Sequence, residues 1–325
     1  MIWLLLLLLT QLSLASPTQS NKTEQQQVKI AISIIRVFNV NTQMGYADIK
    51  FWVLFITKKA DPSLLKDIDF INTKNSKLIY STIKKTSDNK NIIAGEYTAR
   101  FYHHFKLDKF PFDTQNLKIV IESATHNITH LRFIPITAEK QYTFNNNMFL
   151  YAPTWKPIRT RLTARKHAYN NLQKITQQKK LNGTYSRVTL NLNISRHGFR
   201  AFTTLLSPMY LAFILSLIAL YIPPRKGFYN PRFSLIGASV FALVGNHLMT
   251  YSITQHTHTF GLIDKLQLTT TAYLIFSLLI VLVSSQYWGE IDRDVIFKRV
   301  AWIGVGYFIT YALINTLLIS HAITN

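Results

Sequence analysis

The 325-residue sequence contains no cysteine. That excludes disulfides, thiolate metal sites and cysteine nucleophiles, so an exported domain has to be held by its core, for which a stretch of ~180 residues is ample. Acidic residues are also scarce, with 15 Asp and Glu against 36 Lys and Arg for a net charge of +21. Residues 17–196 hold most of the excess, 28 basic against 11 acidic residues for a net of +17. Such a surplus attracts anions, anionic lipid or nucleic acid. Here the lysines are scattered among polar residues in short runs such as Lys58–Lys59, Lys84–Lys85 and Lys179–Lys180. That is the pattern of a solvated surface, and nucleic acid is not an expected partner. Catalytic patterns are missing as well. There is no glycine loop to cradle phosphate and no Gly-x-Ser-x-Gly elbow. His103 and His104 adjoin in a strand pattern, which turns them to opposite faces rather than toward one metal, and His126 and His130 fall in strand or loop context. No enzyme activity, metal or cofactor is expected.

What is present divides in two. Residues 1–16, MIWLLLLLLTQLSLAS, read as a signal peptide: a leucine core too short for a membrane span, without a basic start, ending in Ser13-Leu14-Ala15 with small residues where a signal peptidase cuts. A Gln-rich leader follows to residue 27. From Val28 to Arg196 the pattern is that of strands. Ile30, Ile32, Ile34 and Val37 nearly alternate, Asn39–Gly45 is a turn, and Ala47, Ile49, Phe51, Val53 and Phe55 alternate through Tyr46–Thr57. Later strands are predicted at Lys77–Ile83, Glu96–Phe105, Asn116–Glu122, Leu131–Ile136, Pro157–Ala168 and Arg187–Ser195. Such runs between Asn-, Asp-, Ser- and Lys-rich turns predict an antiparallel sandwich.

After His197 the pattern becomes helical and apolar, with spans predicted over about 199–222, 232–253, 261–287 and 299–321. The fold class expected is an α+β membrane protein. An extracellular or periplasmic antiparallel β-sandwich over 17–196, of ligand-binding type, precedes a four-helix transmembrane bundle over 197–325. Arg225, Lys226 and Arg232 follow the first span, and Arg293, Lys298 and Arg299 precede the fourth, whereas the tail after His321 has no basic residue. The positive-inside rule then places both links in the cytoplasm and the β domain and C-terminus outside. A signal peptide requires the same orientation. The expected location is the plasma membrane, or the inner membrane of a bacterium.

The second span, Pro231–Thr254, is unusually polar for a bilayer helix, interrupted by Ser234, Gly237, Ser239, Gly245, Asn246, His247 and Thr250. Polar groups at membrane depth face protein or water. Ser234, Ala238, Phe241, Gly245, Leu248 and Ser252 step by four and three and so share one helical face. That face either lines a narrow water path, constricted at Phe241 and Leu248, or packs closely on another helix, as small residues also allow. His247 lies away from it, and either hydrogen-bonds a neighbouring helix or titrates. His256, in the link after the span, is a second candidate for sensing pH.

In its order of features the chain resembles the pentameric ligand-gated ion channels (the Cys-loop receptor superfamily), in the cysteine-less form of the bacterial members. The sharpest match is Leu107–Glu122, LDKFPFDTQNLKIVIE, similar to the signature loop of that family with Phe110-Pro111-Phe112-Asp113 at its tip. Val28–Pro62, ending in Asp61-Pro62, Ile194-Ser195-Arg196 before the first span, Pro208 inside it and Leu262-Ile263-Asp264 before the third also match. The resemblance runs from about residue 28 to the C-terminus. It implies a homopentamer of identical subunits in a lipid bilayer, a ligand-gated pore for permeant ions, and the second helix of each subunit around the axis. Ser234, Ala238, Phe241, Gly245, Leu248 and Ser252 would then line the pore, with Phe241 and Leu248 as a dewetting gate. Pro111, Phe112, Asp113, Arg196 and Asp264 would couple the sandwich to the helices, with Asp113 and Arg196 paired at the boundary.

Departures from the family bear on ligand and ion. The Asn39–Gly45 turn lacks the acid often found there. Between Pro62 and Phe70 the chain is shorter than in that family and lacks its tryptophan. The loop Tyr169–Tyr185 carries Lys174, Lys179 and Lys180, an environment that disfavours an amine in an aromatic cage. Trp155, Tyr169 and Tyr185 are the candidate cage residues, and an anionic small ligand, protons or no soluble ligand remain open. No glutamate stands before Arg232 at the inner mouth, as it does in cation-selective relatives, so the expectation leans toward anions. The alternative reading is a non-conducting membrane-anchored receptor or adhesion protein of the same architecture.

Overall fold

The computed structural model describes residues 25–58, 60–136, 147–169, 183–223, 229–254, 260–286 and 293–324. The signal peptide expected over 1–16, His256, and most of the Tyr169–Tyr185 loop lie outside the described residues. Strands come first: β1 (Gln26–Asn41), β2 (Tyr46–Thr57), β3 (Ile68–Phe70), β4 (Thr73–Lys85), β5 (Asn91–Tyr102), β6 (Thr114–Ser123), β7 (Leu131–Pro135), β8 (Trp155–Ala168) and β9 (Thr184–Arg196). Four long helices follow: α1 (Gly198–Tyr221), α2 (Tyr229–Thr254), α3 (Leu262–Gln286) and α4 (Arg293–Thr324). A single helical turn, Ser63–Lys66, precedes β3.

The strands form two sheets, ordered β4-β5-β2-β1-β7 and β3-β6-β9-β8. β2 shows why: every second residue, Ala47, Ile49, Phe51, Val53 and Phe55, is fully buried, and the intervening ones face outward. β1 buries Val28, Ile30, Ile32 and then Val37. The odd five-residue step is absorbed by irregularities in its pairing with β2 at Ile34/Arg36 and Val37/Asn39, the effect of a bulge. The two sheets meet at Phe70 of β3, whose ring lies 5.5 Å from that of Phe51, 5.2 Å from Tyr97 and 6.0 Å from Phe101 in the five-stranded sheet.

One expectation is corrected here. β7 runs parallel to β1, from Gln26 beside Leu131 to Ile30 beside Pro135, so the sheets are not wholly antiparallel. Alternation in a sequence reports which face a side chain takes, not the direction of its neighbour. β3, only three residues long, was not foreseen, and His103 and His104 lie just past the end of β5 rather than within it.

His103 packs into this region with Nδ1 accepting the Lys118 backbone N–H at 3.4 Å. Burial first, and then the Lys118 charge, hold its pKa down to about 4. An unfolded chain takes up the proton near pH 6.5 and the folded one near 4, so stability falls as pH drops through that window, by up to about 3 kcal/mol. His103→Phe should flatten this part of the pH profile of unfolding in detergent. An unchanged slope in that variant would assign the acid sensitivity elsewhere.

The four helices are long and apolar enough to cross a membrane, over Gly198–Tyr221, Pro231–Ile253, Leu262–Gln286 and Phe297–Thr324. The chain is therefore a β-rich N-terminal region followed by the helices of a multi-pass membrane protein. α4 begins six residues before the predicted span, because its first turn carries charges that belong outside the apolar layer. A continuous hydrophobic cluster runs from the sheets into the helices through Phe110, Leu205, Leu206, Leu262, Ile263 and Leu266.

Candidate functional site

α2 presents two unlike faces. Arg232, Ile236, Ser239, Leu243, Asn246 and Thr250 are buried against the bundle, at the four- and three-residue steps of one helical stripe. Ser234, Ala238, Phe241, Gly245, Leu248 and Ser252 are exposed on the other side, Phe241 to 81% and Leu248 to 65%. A Cβ added at Gly245 would meet nothing within 4 Å. Within one chain, then, this small residue does not serve close approach to a neighbouring helix, the competing explanation for such a stripe.

The buried polar residues of α2 are paired. Gln267 of α3 donates through Nε2 to Asn246 Oδ1 at 3.1 Å and Thr250 Oγ at 2.6 Å, and its Oε1 accepts from His247 Nδ1 at 2.8 Å. Asn246 Nδ2 donates in turn to the Leu205 carbonyl of α1. These bonds satisfy groups that lipid would leave unpaired. His247 thus bridges to the next helix, the first of the two roles open to it. Gln267 was not singled out from the sequence, although an amide inside an apolar span is itself a signal.

Arg232, the cation near the far end of α2, is fully buried. Its Nε donates to the Ala219 carbonyl of α1 at 3.1 Å and its Nη2 to Ser284 Oγ of α3 at 3.2 Å. The guanidinium therefore points into the bundle and not to the exposed face of α2.

The other end of α2 meets the sheets. The β1–β2 turn reaches it directly, Gln43 Nε2 donating to the Ser252 carbonyl at 2.6 Å. The loop 107–113 grips α1 and α3. The Asp108 carbonyl accepts the Leu262 N–H at 2.7 Å, and the Phe112 ring lies tilted 5.6 Å from that of Phe202. Asp264 accepts the Gly261 N–H at 2.8 Å in the first turn of α3, where an acid also suits the helix dipole. A Cβ at Gly198 would lie 2.7 Å from the Pro111 carbonyl oxygen and 2.7 Å from the Phe112 ring. Gly198→Ala should therefore push the loop off α1 and destabilise the junction by about 1–3 kcal/mol. Thermal unfolding checks this, and a wild-type midpoint would show that the loop yields freely.

At the centre of the junction Asp113 and Arg196 are paired. Arg196 Nε donates to Asp113 Oδ1 at 2.8 Å and Nη2 to Oδ2 at 3.3 Å, with side-chain exposures of 11% for arginine and 2% for aspartate. Gln115 Nε2 donates to the same carboxylate at 2.7 Å. The guanidinium also lies over the rings of Trp155, at 4.2 Å, and Phe110, at 4.8 Å.

That placement sets one of the three candidate cage residues apart from the other two. Trp155 opens β8 at the helix side, while Tyr169 follows the other end of β8, about 40 Å away along the strand. Only Tyr169 and Tyr185 come together, with ring centroids 5.7 Å apart. Tyr169 hydroxyl donates to Glu122 Oε2 at 2.8 Å and accepts from Arg187 Nη2 at 3.0 Å, and Arg187 Nε also donates to Glu122. Burial first, then Glu122, pushes the Tyr169 hydroxyl pKa above its ordinary value. His126 sits beside Asp67 at 3.3 Å and His130 beside Asn127 at 2.7 Å. No group of three or more potential metal ligands occurs among the described residues. No protein-family model matches the chain, and no curated protein matches it.

Proposed function

We propose that the protein is the subunit of a homopentameric ligand-gated ion channel, passively conducting ions through a pore lined by α2. Its two sheets would pack as an extracellular or periplasmic β-sandwich that acts on the pore, with the C-terminus on the same side of the plasma membrane. The observation that carries this reading is the exposed stripe of α2. It is small at Ser234, Ala238, Gly245 and Ser252 and bulky only at Phe241 and Leu248, whereas α3 and α4, which also expose small or polar residues such as Thr271 and Thr310, carry large apolar ones such as Ile275, Leu279, Ile309 and Leu313 among them. Lipid favours the second kind of surface and a water path the first. The junction adds support. Asp113–Arg196 forms a rigid block between sheets and helices, and Gln43 links the sheets to α2 itself.

The test is reconstitution into liposomes, with ion flux and single-channel current recorded across a range of pH and in salt gradients, and with subunit stoichiometry measured on the purified protein. A five-subunit particle with unitary currents is expected. A monomer, or bilayers that stay closed under every condition tried, leaves the non-conducting receptor or adhesion protein as the better reading.

A further inference from the structure

The solvent face of the β6-β9-β8 sheet carries a feature that the channel reading does not use. The strands are in register there, so side chains line up in rows across them. Asn116, Asn193 and Arg159 make one row, Lys118, Asn191 and Arg161 the next, and Val120, Thr189 and Thr163 a third, with Arg165 beyond, opposite Arg187. Together they line a groove of about 560 Å³, within the roughly 300–1,000 Å³ of small-ligand sites. Arg187 is neutralised by Glu122. Lys118, Arg159, Arg161 and Arg165 form no ion pair among the described residues. Four unpaired cations thus share one concave face. Arg159 and Arg161 are two residues apart on one strand, hence ~7 Å apart, and Lys118 and Arg161 flank Asn191 across two strand spacings, ~10 Å.

We propose that this groove binds a segment of an acidic oligosaccharide, sugar rings bearing sulfate, phosphate or carboxylate groups. Three features select that class. Arginines at this spacing offer planar forks to successive anionic groups. The floor between them is made of Asn and Thr side chains, which donate to and accept from hydroxyls. Asn116 and Asn191 already hold one another at 3.1 Å, which fixes their amides. The groove lining contains no aromatic ring, so it lacks the stacking platform on which single-stranded nucleic acids are held. The inference does not depend on conduction, since it needs only the folded chain.

The experiment is calorimetric titration of the purified full-length protein in detergent with a size-defined heparin tetrasaccharide, at ~150 mM salt. Saturable binding at one site per chain is expected. Arg159→Gln with Arg161→Gln should weaken it about tenfold, as loss of two charge-assisted contacts predicts. Lys84→Gln with Lys85→Gln, which removes the same charge from exposed positions on β4, should change it less than about twofold. All four side chains are exposed, so matching thermal unfolding confirms that each variant is folded. Absence of saturable binding overturns the proposal. So does equal weakening by both pairs, which would report net charge alone. Competition by an oligothymidylate as effective as the tetrasaccharide itself would also overturn it, because the groove would then read charge without sugar.

Discussion

Phe241→Ala, reconstituted in liposomes, is expected to pass ions without any added ligand at a rate at least about tenfold above the wild-type protein. In the proposed pentamer five Phe241 rings face one another across the axis, and a ring of apolar side chains in a narrow bore keeps water out without closing it sterically. Alanine removes most of that apolar lining, so the bore wets and the energetic barrier to an ion drops. About 1.4 kcal/mol less barrier is enough for the tenfold change. The substitution is informative because Phe241 is 81% exposed within its own chain: truncating it leaves little cavity behind, so the bundle should fold as before. Leu248→Ala, about two turns further along the same face, should act in the same direction. Wild-type conductance in both variants, with intact pentamers, would remove the gate from these positions. A silent bilayer in all three proteins would favour a non-conducting anchor.

The second large effect concerns Asp113. Asp113→Ala leaves the Arg196 guanidinium buried without its carboxylate, against Trp155 and Phe110. One-sided removal from a buried pair costs about 3–5 kcal/mol. The aromatic faces compensate only in part, at about 1–2 kcal/mol for a desolvated cation. A loss of several degrees in the unfolding midpoint of the solubilised protein is therefore expected. Arg196→Met together with Asp113→Ala should recover part of it, because the pair is then replaced by apolar atoms rather than left half-made. If the double variant is as unstable as the sum of its single changes, the pair is not energetically coupled. The same variants should also separate any ligand response of the sheets from current through α2.

Much of this architecture is legible in the residues. The uninterrupted alternation of Tyr46–Thr57 gives β2 its bounds, because both period and flanking turns agree, and the four apolar runs give the helices to within a few residues. What escapes is what depends on partners distant in sequence. The three residues of β3 carry no period, and the parallel pairing of β7 leaves no mark on its own five residues. Trp155 and Tyr169 look like companions in a list of aromatic residues, yet β8 separates them by its whole length. The contact of Asp113 with Arg196, 83 positions apart, follows from no local pattern, and only the resemblance suggested it. The exposed stripe of α2 was visible as spacing. Its freedom from neighbours, shown by the open space at Gly245, was not.

α2 is held near both ends by different bodies. Arg232 ties one end to α1 and α3, and Gln43 ties the other to the β1–β2 turn. Some 20 residues, about 30 Å of helix, separate these moorings, and Phe241 stands a little short of halfway. A shaft fixed at its foot and pushed at its head swings about the foot. Each ångström of travel at Ser252 then reaches Phe241 as roughly half an ångström, and in the proposed pentamer the same lever would act on every Phe241 of the ring at once.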